Sequence, residues 1–322
     1  MNTASPAPDE SARDGPLTDK VAYIGIGRMG GPMAMHLVNA GYEVSVHDVV
    51  QTKADAFVAN YGGRAVGTAA EAAEGAAYVA TCVGGDTESH DVSQGASGAF
   101  QSMSEGAVFV DHNTMTGQAA EQTALAAAAR GIHYLDAPVS GAEELANVGE
   151  LAVMIGGAAD GVAKAKPYLA AYAQTADHIG PSGHGQLTKM VNQILISANM
   201  QGLAEGVVFA RESGLDLDKV FSLLSKGSAQ SWWFDHRVQR MIDGDLDPAD
   251  GGIDSLMTHL GLCLNEARRF GVAIPVTALI AQFNTAVHAH GKGNWESPAL
   301  MTLWDQRYHP KSPDDDCTED LD

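Results

Sequence analysis

Val21-Ala22-Tyr23-Ile24-Gly25-Ile26-Gly27-Arg28-Met29-Gly30 is the stretch that decides the fold. An apolar run enters a G-x-G-x-x-G pattern, and the residues that follow, as far as Ala40, read as a helix. Strand, glycine turn and helix in that order are the setting in which the pattern binds a dinucleotide. Gly25 permits the tight turn, Gly27 lets backbone approach a pyrophosphate, and Gly30 lets the helix pack closely, so that the phosphates face free N–H groups at the helix start. Tyr42-Glu43-Val44-Ser45-Val46-His47 is the next predicted strand, and Asp48 closes it, at about the 20-residue distance where a carboxylate accepts bonds from ribose hydroxyls. A carboxylate there repels a 2′-phosphate, and Val49 and Val50 offer no cation to hold one. The expected cofactor is therefore NAD, with NADP disfavoured.

Moving outward, short apolar runs alternate with Ala-rich helical stretches from Lys20 to about Pro181: AYVATCV, AVFVD, HYLDAPV and ELAVMIGG follow the first two strands. This alternation predicts an α/β fold with a doubly wound, largely parallel Rossmann sheet over residues 20–182. After Pro181 the pattern changes. Residues 183–213 carry apolar positions at helical spacing without proline, and Asp216–Lys226, Trp232–Asp243, Ile253–Phe270 and Pro275–His290 read as further helices. An all-helical C-terminal domain, residues 183–305, is thus expected to follow the Rossmann domain, joined to it by the long helix, with a role in substrate binding and oligomerisation. Residues 1–19 read as a disordered leader and 306–322 as an acidic tail.

Composition removes whole classes of function. Nineteen Lys and Arg face 40 Asp and Glu among 322 residues, a net charge of −21, which argues against nucleic-acid or anionic-membrane partners because both need a positive surface. Three cysteines without a C-x-x-C pair support neither a disulfide framework nor a cysteine metal site. The polar, acidic start lacks the basic end and apolar stretch expected of a signal peptide, and no apolar run approaches the roughly 18 residues of a membrane helix. The expectation is a soluble, cytoplasmic protein. No H-E-x-x-H occurs and His288-x-His290 has no obvious third ligand, so no catalytic metal is expected.

Gly183-His184-Gly185-Gln186-Leu187-Thr188-Lys189-Met190-Val191-Asn192 opens the long helix. Lys189 and Asn192 lie three apart and share a face. A lysine near a helix N-terminus meets an unfavourable positive potential, and burial would lower its pKa further, which suits it to give and take protons. Spacing alone leaves open the alternative of a solvated charge.

Three segments in order, Gly25-x-Gly27-x-Met29-Gly30-x-x-Met33, Asp136-Ala137-Pro138-Val139-Ser140-Gly141 and Gly183-x-Gly185-x-x-x-Lys189-x-x-Asn192, make the chain resemble the β-hydroxyacid dehydrogenase family over roughly residues 20–304. Members include 3-hydroxyisobutyrate dehydrogenase and tartronate semialdehyde reductase. The resemblance implies a Rossmann domain followed by a helical domain, a homodimer or homotetramer, and NAD-dependent interconversion of a small 3-hydroxy acid and its semialdehyde. It places the catalytic lysine on Lys189 and a substrate-orienting residue on Asn192. The substrate carboxylate falls to Ser140 and Gly141 with Ala142 beside them, and the cofactor to Gly25, Gly27, Arg28, Met29, Gly30, Asp48, Val83 and Thr114. Rival readings are an imine reductase-like enzyme, which shares the architecture but generally has another residue at the lysine position, and a catalytically reduced dinucleotide-binding sensor or scaffold.

The chain departs from the family pattern at four places. Ala142 stands where a second glycine is usual, and its methyl group is expected to narrow the pocket or exclude a positive-φ backbone. The usual proline is missing from Val83-Gly84-Gly85, which predicts a looser loop over the cofactor. Asn113 replaces a serine. Thr258-His259 replaces a Lys-Asp pair, and His259 is expected to be structural rather than recruited to the chemistry. Trp232, with Trp233 and Phe234, lies in a segment the family places near the pocket, although aromatic core packing is at least as natural a reading.

Overall fold

A computed structural model of the protein describes residues 19–246 and 252–308. The expected leader and acidic tail therefore fall outside the described residues, apart from Asp19 and residues 306–308. The described residues form two compact units: one runs to residue 113 and includes 121–182, and the other joins 114–120 to the chain from 183 onward.

The first unit runs β1 (Lys20–Ile24), α1 (Gly30–Asn39), β2 (Glu43–His47), α2 (Gln51–Tyr61), β3 (Arg64–Ala65), α3 (Ala69–Ala73), β4 (Tyr78–Thr81), α4 (Asp86–Gln94), β5 (Val108–Asp111), α5 (Gly117–Ala128), β6 (His133–Asp136), β7 (Val139–Ser140), α6 (Ala142–Val148), β8 (Leu151–Gly157), α7 (Ala159–Leu169) and β9 (Ala173–Gly180); the first turn of α5 belongs to the second unit. The sheet order is β3-β2-β1-β4-β5-β6-β8-β7, with β9 paired to β8. Strands β3 to β6 are parallel to their neighbours in this order, while β8 runs antiparallel to β6 and β7. Every residue of β4 and β5 is buried, as central parallel strands covered on both faces require. Tyr23, Met33, Leu37, Val110, Leu135 and Ile155 sit in this core.

The sheet differs from the sequence reading at three points. The two-residue β3 has no counterpart among the expected strands and is held by its pairing to β2. HYLDAPV is not one strand: Pro138 ends β6, because proline has no N–H to give the ladder, and β7 then pairs Val139 with Val153 and Ser140 with Ala152 on β8. Strand β9 carries no apolar run, having Gln174, Thr175, Asp177, His178 and Ile179 exposed; its ladder to β8, rather than burial, holds it.

The second unit is helical: α8 (His184–Glu212), α9 (Leu217–Leu224), α10 (Trp232–Asp243), α11 (Gly252–Phe270) and α12 (Pro275–Val287). At 29 residues, α8 is about 44 Å long. Asp216 caps α9, Ser231 caps α10 by accepting from the Phe234 N–H at 3.1 Å, and Pro275 occupies the first turn of α12. Met200, Ala204, Phe234, Met241, Ile253 and Leu300 pack into one core. Among the described residues no helix is long and apolar enough to cross a membrane.

Asp305, which is fully buried, ties α8 to the residues that follow it. It accepts from Arg211 Nη1 at 2.6 Å and Arg307 Nη2 at 2.8 Å. Burial acts to raise its pKa, but the Arg307 bonds and the two guanidinium charges hold it below the usual carboxylate value. Asp305→Ala leaves Arg211 and Arg307 without their shared carboxylate and is expected to destabilise the protein by about 3 kcal/mol in urea denaturation.

Candidate active site

At the end of β1 the chain turns at Gly25 with φ +88°, and a Cβ there would lie 2.4 Å from the Cys82 carbonyl oxygen. A Cβ on Gly30 would lie 2.0 Å from the Gly25 carbonyl oxygen, whereas one on Gly27 would meet nothing within 4 Å. Two glycines are thus demanded by close packing, and the one between them faces open space. No side chain caps α1 and no acidic residue stands in its first turn, which leaves the helix start suited to phosphate. Met29 packs against the core. Asp48 is buried beside this turn, accepting from the Ile26 N–H and the Val50 N–H at 2.9 Å each, one on either carboxylate oxygen. Both oxygens keep a lone pair for ribose hydroxyls. These residues fit a nicotinamide dinucleotide.

Arg28, expected to serve the cofactor, forms an ion pair through Nε with Glu143 Oε2 at 3.0 Å. One expectation changes here. The loop after β4 is not loose: the Val83 N–H donates to Asn113 Oδ1 at 2.5 Å and the Gly85 N–H to Glu88 Oε2 at 3.1 Å. Asn113, longer than the serine it replaces, supplies the tie that the missing proline does not.

The segment expected to take the substrate carboxylate begins at β7. Ser140 is half-buried, and a Cβ on Gly141 would lie 2.8 Å from Leu145 Cβ. Ala142 has φ +54°. Its methyl group therefore does not exclude the left-handed backbone; the fold holds a non-glycine residue in it, a strained state favoured by the packing around it.

In the helical unit, Lys189 is buried on α8 at 9% exposure. One turn on, the Gln193 amide donates from Nε2 to His259 Nδ1 at 2.6 Å, and the Cys263 thiol donates to the Met190 carbonyl at 3.6 Å. The 259/263 face of α11 therefore packs on the 189/190/193 face of α8. Burial, and then the Lys189 charge, push the His259 imidazole down to about 4, so it is neutral at ordinary pH. Since Nδ1 accepts, its proton sits on Nε2. Thr258 is exposed and bonds back to the Asp254 carbonyl. Neither residue replaces the positive charge of a lysine. Asn192 Nδ2 is enclosed and has no hydrogen-bond partner among the described residues. Thr114, half-buried, belongs to this unit, and the next residue, Met115, donates its N–H to Gln186 Oε1 at 3.0 Å. Trp232 stacks on His236 at 3.9 Å and meets Trp233 edge-on, with Arg237 lying over both indoles. His288 pairs with Asp254 at 2.6 Å, and no cluster of metal-ligating side chains exists among the described residues. Gln193 was not foreseen, although its position one turn from Lys189 was a usable signal.

Comparison with known proteins follows the two units. Residues 20–180 match the NAD binding domain of 6-phosphogluconate dehydrogenase, and residues 183–304 match the family model described as NAD-binding of NADP-dependent 3-hydroxyisobutyrate dehydrogenase. An uncharacterized oxidoreductase of Shewanella frigidimarina is 44% identical over 282 residues, 88% of this chain and 97% of that protein. A probable 3-hydroxyisobutyrate dehydrogenase-like protein of Arabidopsis thaliana is 34% identical over 287 residues, 89% of this chain and 85% of that one. The crystal structure of 3-hydroxyisobutyrate dehydrogenase from Salmonella typhimurium matches with a TM-score of 0.79 at 26% identity, covering 88% of this chain and 99% of that one.

The positive φ of Ala142 gives a stability prediction. Ala142→Gly relieves the left-handed strain and is expected to raise the urea midpoint by the equivalent of about 1 kcal/mol; an unchanged or lowered midpoint would show that the methyl group contributes packing worth as much as the strain.

Proposed function

Because the chain belongs to the β-hydroxyacid dehydrogenase family, we propose that it interconverts a small 3-hydroxy acid and its semialdehyde, using NAD, with Lys189 as general acid and base. At the coarser level it is an oxidoreductase acting on CH–OH groups, with domains that bind a nicotinamide dinucleotide. The observation that carries the finer reading is Asn192. A buried amide N–H without a partner is destabilising, and it lies one helical turn from a buried lysine. A substrate oxygen satisfies the first and exchanges a proton with the second.

A nicotinamide dinucleotide, held by the Gly25–Gly30 turn and Asp48, would supply the hydride acceptor for the carbinol carbon. Lys189 Nζ takes the hydroxyl proton as that C–O bond becomes a carbonyl, and returns it in the reductive direction. Asn192 donates to the same oxygen and orients it. The Ser140 hydroxyl and the Gly141 N–H bind the carboxylate, with the Ala142 backbone beside them. Thr114 stands by the nicotinamide, and Gly25, Gly27, Met29 and Gly30 form the phosphate turn. Arg28 borders that turn through its pair with Glu143. Asp48 selects NAD over NADP, supported by the exposed Val49 and Val50, which bring no cation to a 2′-phosphate.

The cytoplasm is the proposed compartment, in keeping with a sequence of three cysteines and no C-x-x-C pair. A homodimer or homotetramer is supported by exposed Val191, Leu195 and Phe209 on α8 and Val276 and Leu279 on α12. Sedimentation of the purified protein is expected to give the mass of two or four chains, and a single-chain mass at micromolar concentration removes that reading.

The test of the chemistry is NAD reduction across 3-hydroxyisobutyrate, glycerate, 3-hydroxypropionate, serine and threonate. Lys189→Ala is expected to lower kcat about a thousandfold while NAD still binds; a variant that keeps a tenth of the activity contradicts the lysine role. A KM for NADP below that for NAD overturns the Asp48 reading. NAD binding with no turnover of any acid favours the sensor.

A further inference from the structure

Behind the segment that carries Ser140 and Gly141 runs a chain of buried polar side chains that the proposed mechanism does not use. His112, at 3% exposure, follows β5. Its Nδ1 lies 2.6 Å from the Ala137 carbonyl oxygen and its Nε2 lies 2.8 Å from the Tyr172 hydroxyl, which is 2.5 Å from the Tyr78 hydroxyl. Tyr78, Tyr172 and Ala137 are all fully buried.

The direction of every bond follows by elimination. A carbonyl only accepts, so Nδ1 carries a proton. Burial pushes the imidazole down to about 4, against the lift from the Ala137 bond, so the ring is neutral and Nε2 is an acceptor. Tyr172 must then donate to Nε2, and Tyr78 donates to Tyr172. The two tyrosines thereby fix the tautomer and tilt of the ring, and the ring fixes the Ala137 carbonyl. The backbone adds to this anchorage: the Ala137 N–H donates to the Asp111 carbonyl at 2.7 Å and the His112 N–H to the Thr81 carbonyl at 2.9 Å. His112 therefore joins the ends of β4, β5 and β6. Ala137 begins the stretch Ala137-Pro138-Val139-Ser140-Gly141, so its peptide sets where the carboxylate donors start.

We infer that His112, oriented by Tyr172 and Tyr78, is a positioning residue for substrate recognition: through its bond to the Ala137 carbonyl it sets the placement of Ser140 and Gly141. The inference rests on the reading that those two residues hold the substrate carboxylate. A donor pair displaced by a fraction of an ångström loses the acid selectively, whereas the nucleotide turn at Gly25–Gly30 hangs on other bonds.

KM values for 3-hydroxyisobutyrate and for NAD, measured on wild type, His112→Ala, His112→Asn, Tyr172→Phe and Ser140→Ala, test it. His112→Ala is expected to raise the acid's KM about tenfold and leave that of NAD unchanged. His112→Asn restores most of the loss, because an Asn side-chain N–H reaches the Ala137 carbonyl from the same distance along the chain. Equal rises for acid and NAD, or an Asn variant no better than Ala, overturn the inference. If His112→Ala does not fold, Tyr172→Phe takes its place: a selective rise of about threefold supports the inference and no selective rise overturns it. Ser140→Ala separates the two readings. If its KM for the acid is unchanged, the carboxylate assignment fails; if it rises while the His112 variants do not, only the positioning role fails.

Discussion

The contact between the Gly25 carbonyl and the first turn of α1 governs the nucleotide half of the molecule. With 2.0 Å between that oxygen and any Cβ at position 30, the helix can start so close to the strand only if residue 30 has no side chain. The same turn is crowded from a second direction by the Cys82 carbonyl, and the Gly25 N–H bonds to the His47 carbonyl at 2.8 Å. The exits of β1, β2 and β4 are therefore fixed against one glycine. Asp48 follows His47 and bonds to the Ile26 N–H, so its carboxylate is located by the glycine turn itself.

The rest of that edge shows substitutions offsetting one another. Asn113 holds the Val83 amide where a proline is lacking, and Glu143, close in sequence to Ser140 and Gly141, is paired with Arg28. Asp111 is buried, and burial raises its pKa to about 6 although Ser89, the Asn113 N–H and Tyr134 all bond to it. Ala142 is different, because it keeps its positive φ between Gly141, where Leu145 and Leu151 leave no room for a Cβ, and the first turn of α6.

How much of this was legible in the sequence depends on whether a residue acts through its own spacing or through a partner far along the chain. The glycine turn, Asp48 and the Lys189–Asn192 face were readable because each is a local pattern with a local cause. Strand β9 was not, since a mostly exposed ladder needs no apolar run. Nor was the division of HYLDAPV into two strands, which Pro138 signals only once β8 is known to lie alongside. His112, Tyr78 and Tyr172 carried no signal: three residues spread across nearly a hundred positions become one chain of hydrogen bonds only when the sheet and α7 bring them together. The same holds for Asn113, whose role lies in the bond it makes to residue 83.

The buried face of α8 raises a separate question, because Gln186, Lys189, Gln193, Ser197 and Gln201 all lie on it, where helix packing alone favours apolar residues. Partners explain most of them: Gln186 holds the Met115 amide, Gln193 holds His259 and Gln201 bonds to Glu205. Asn192, beside this stripe, has an amide nitrogen left over. The family lysine absent at Thr258 is not made good by its neighbour, since His259 is held neutral by burial and by Lys189. The charge at this face is therefore that of Lys189, with the uncharged amide of Asn192 beside it.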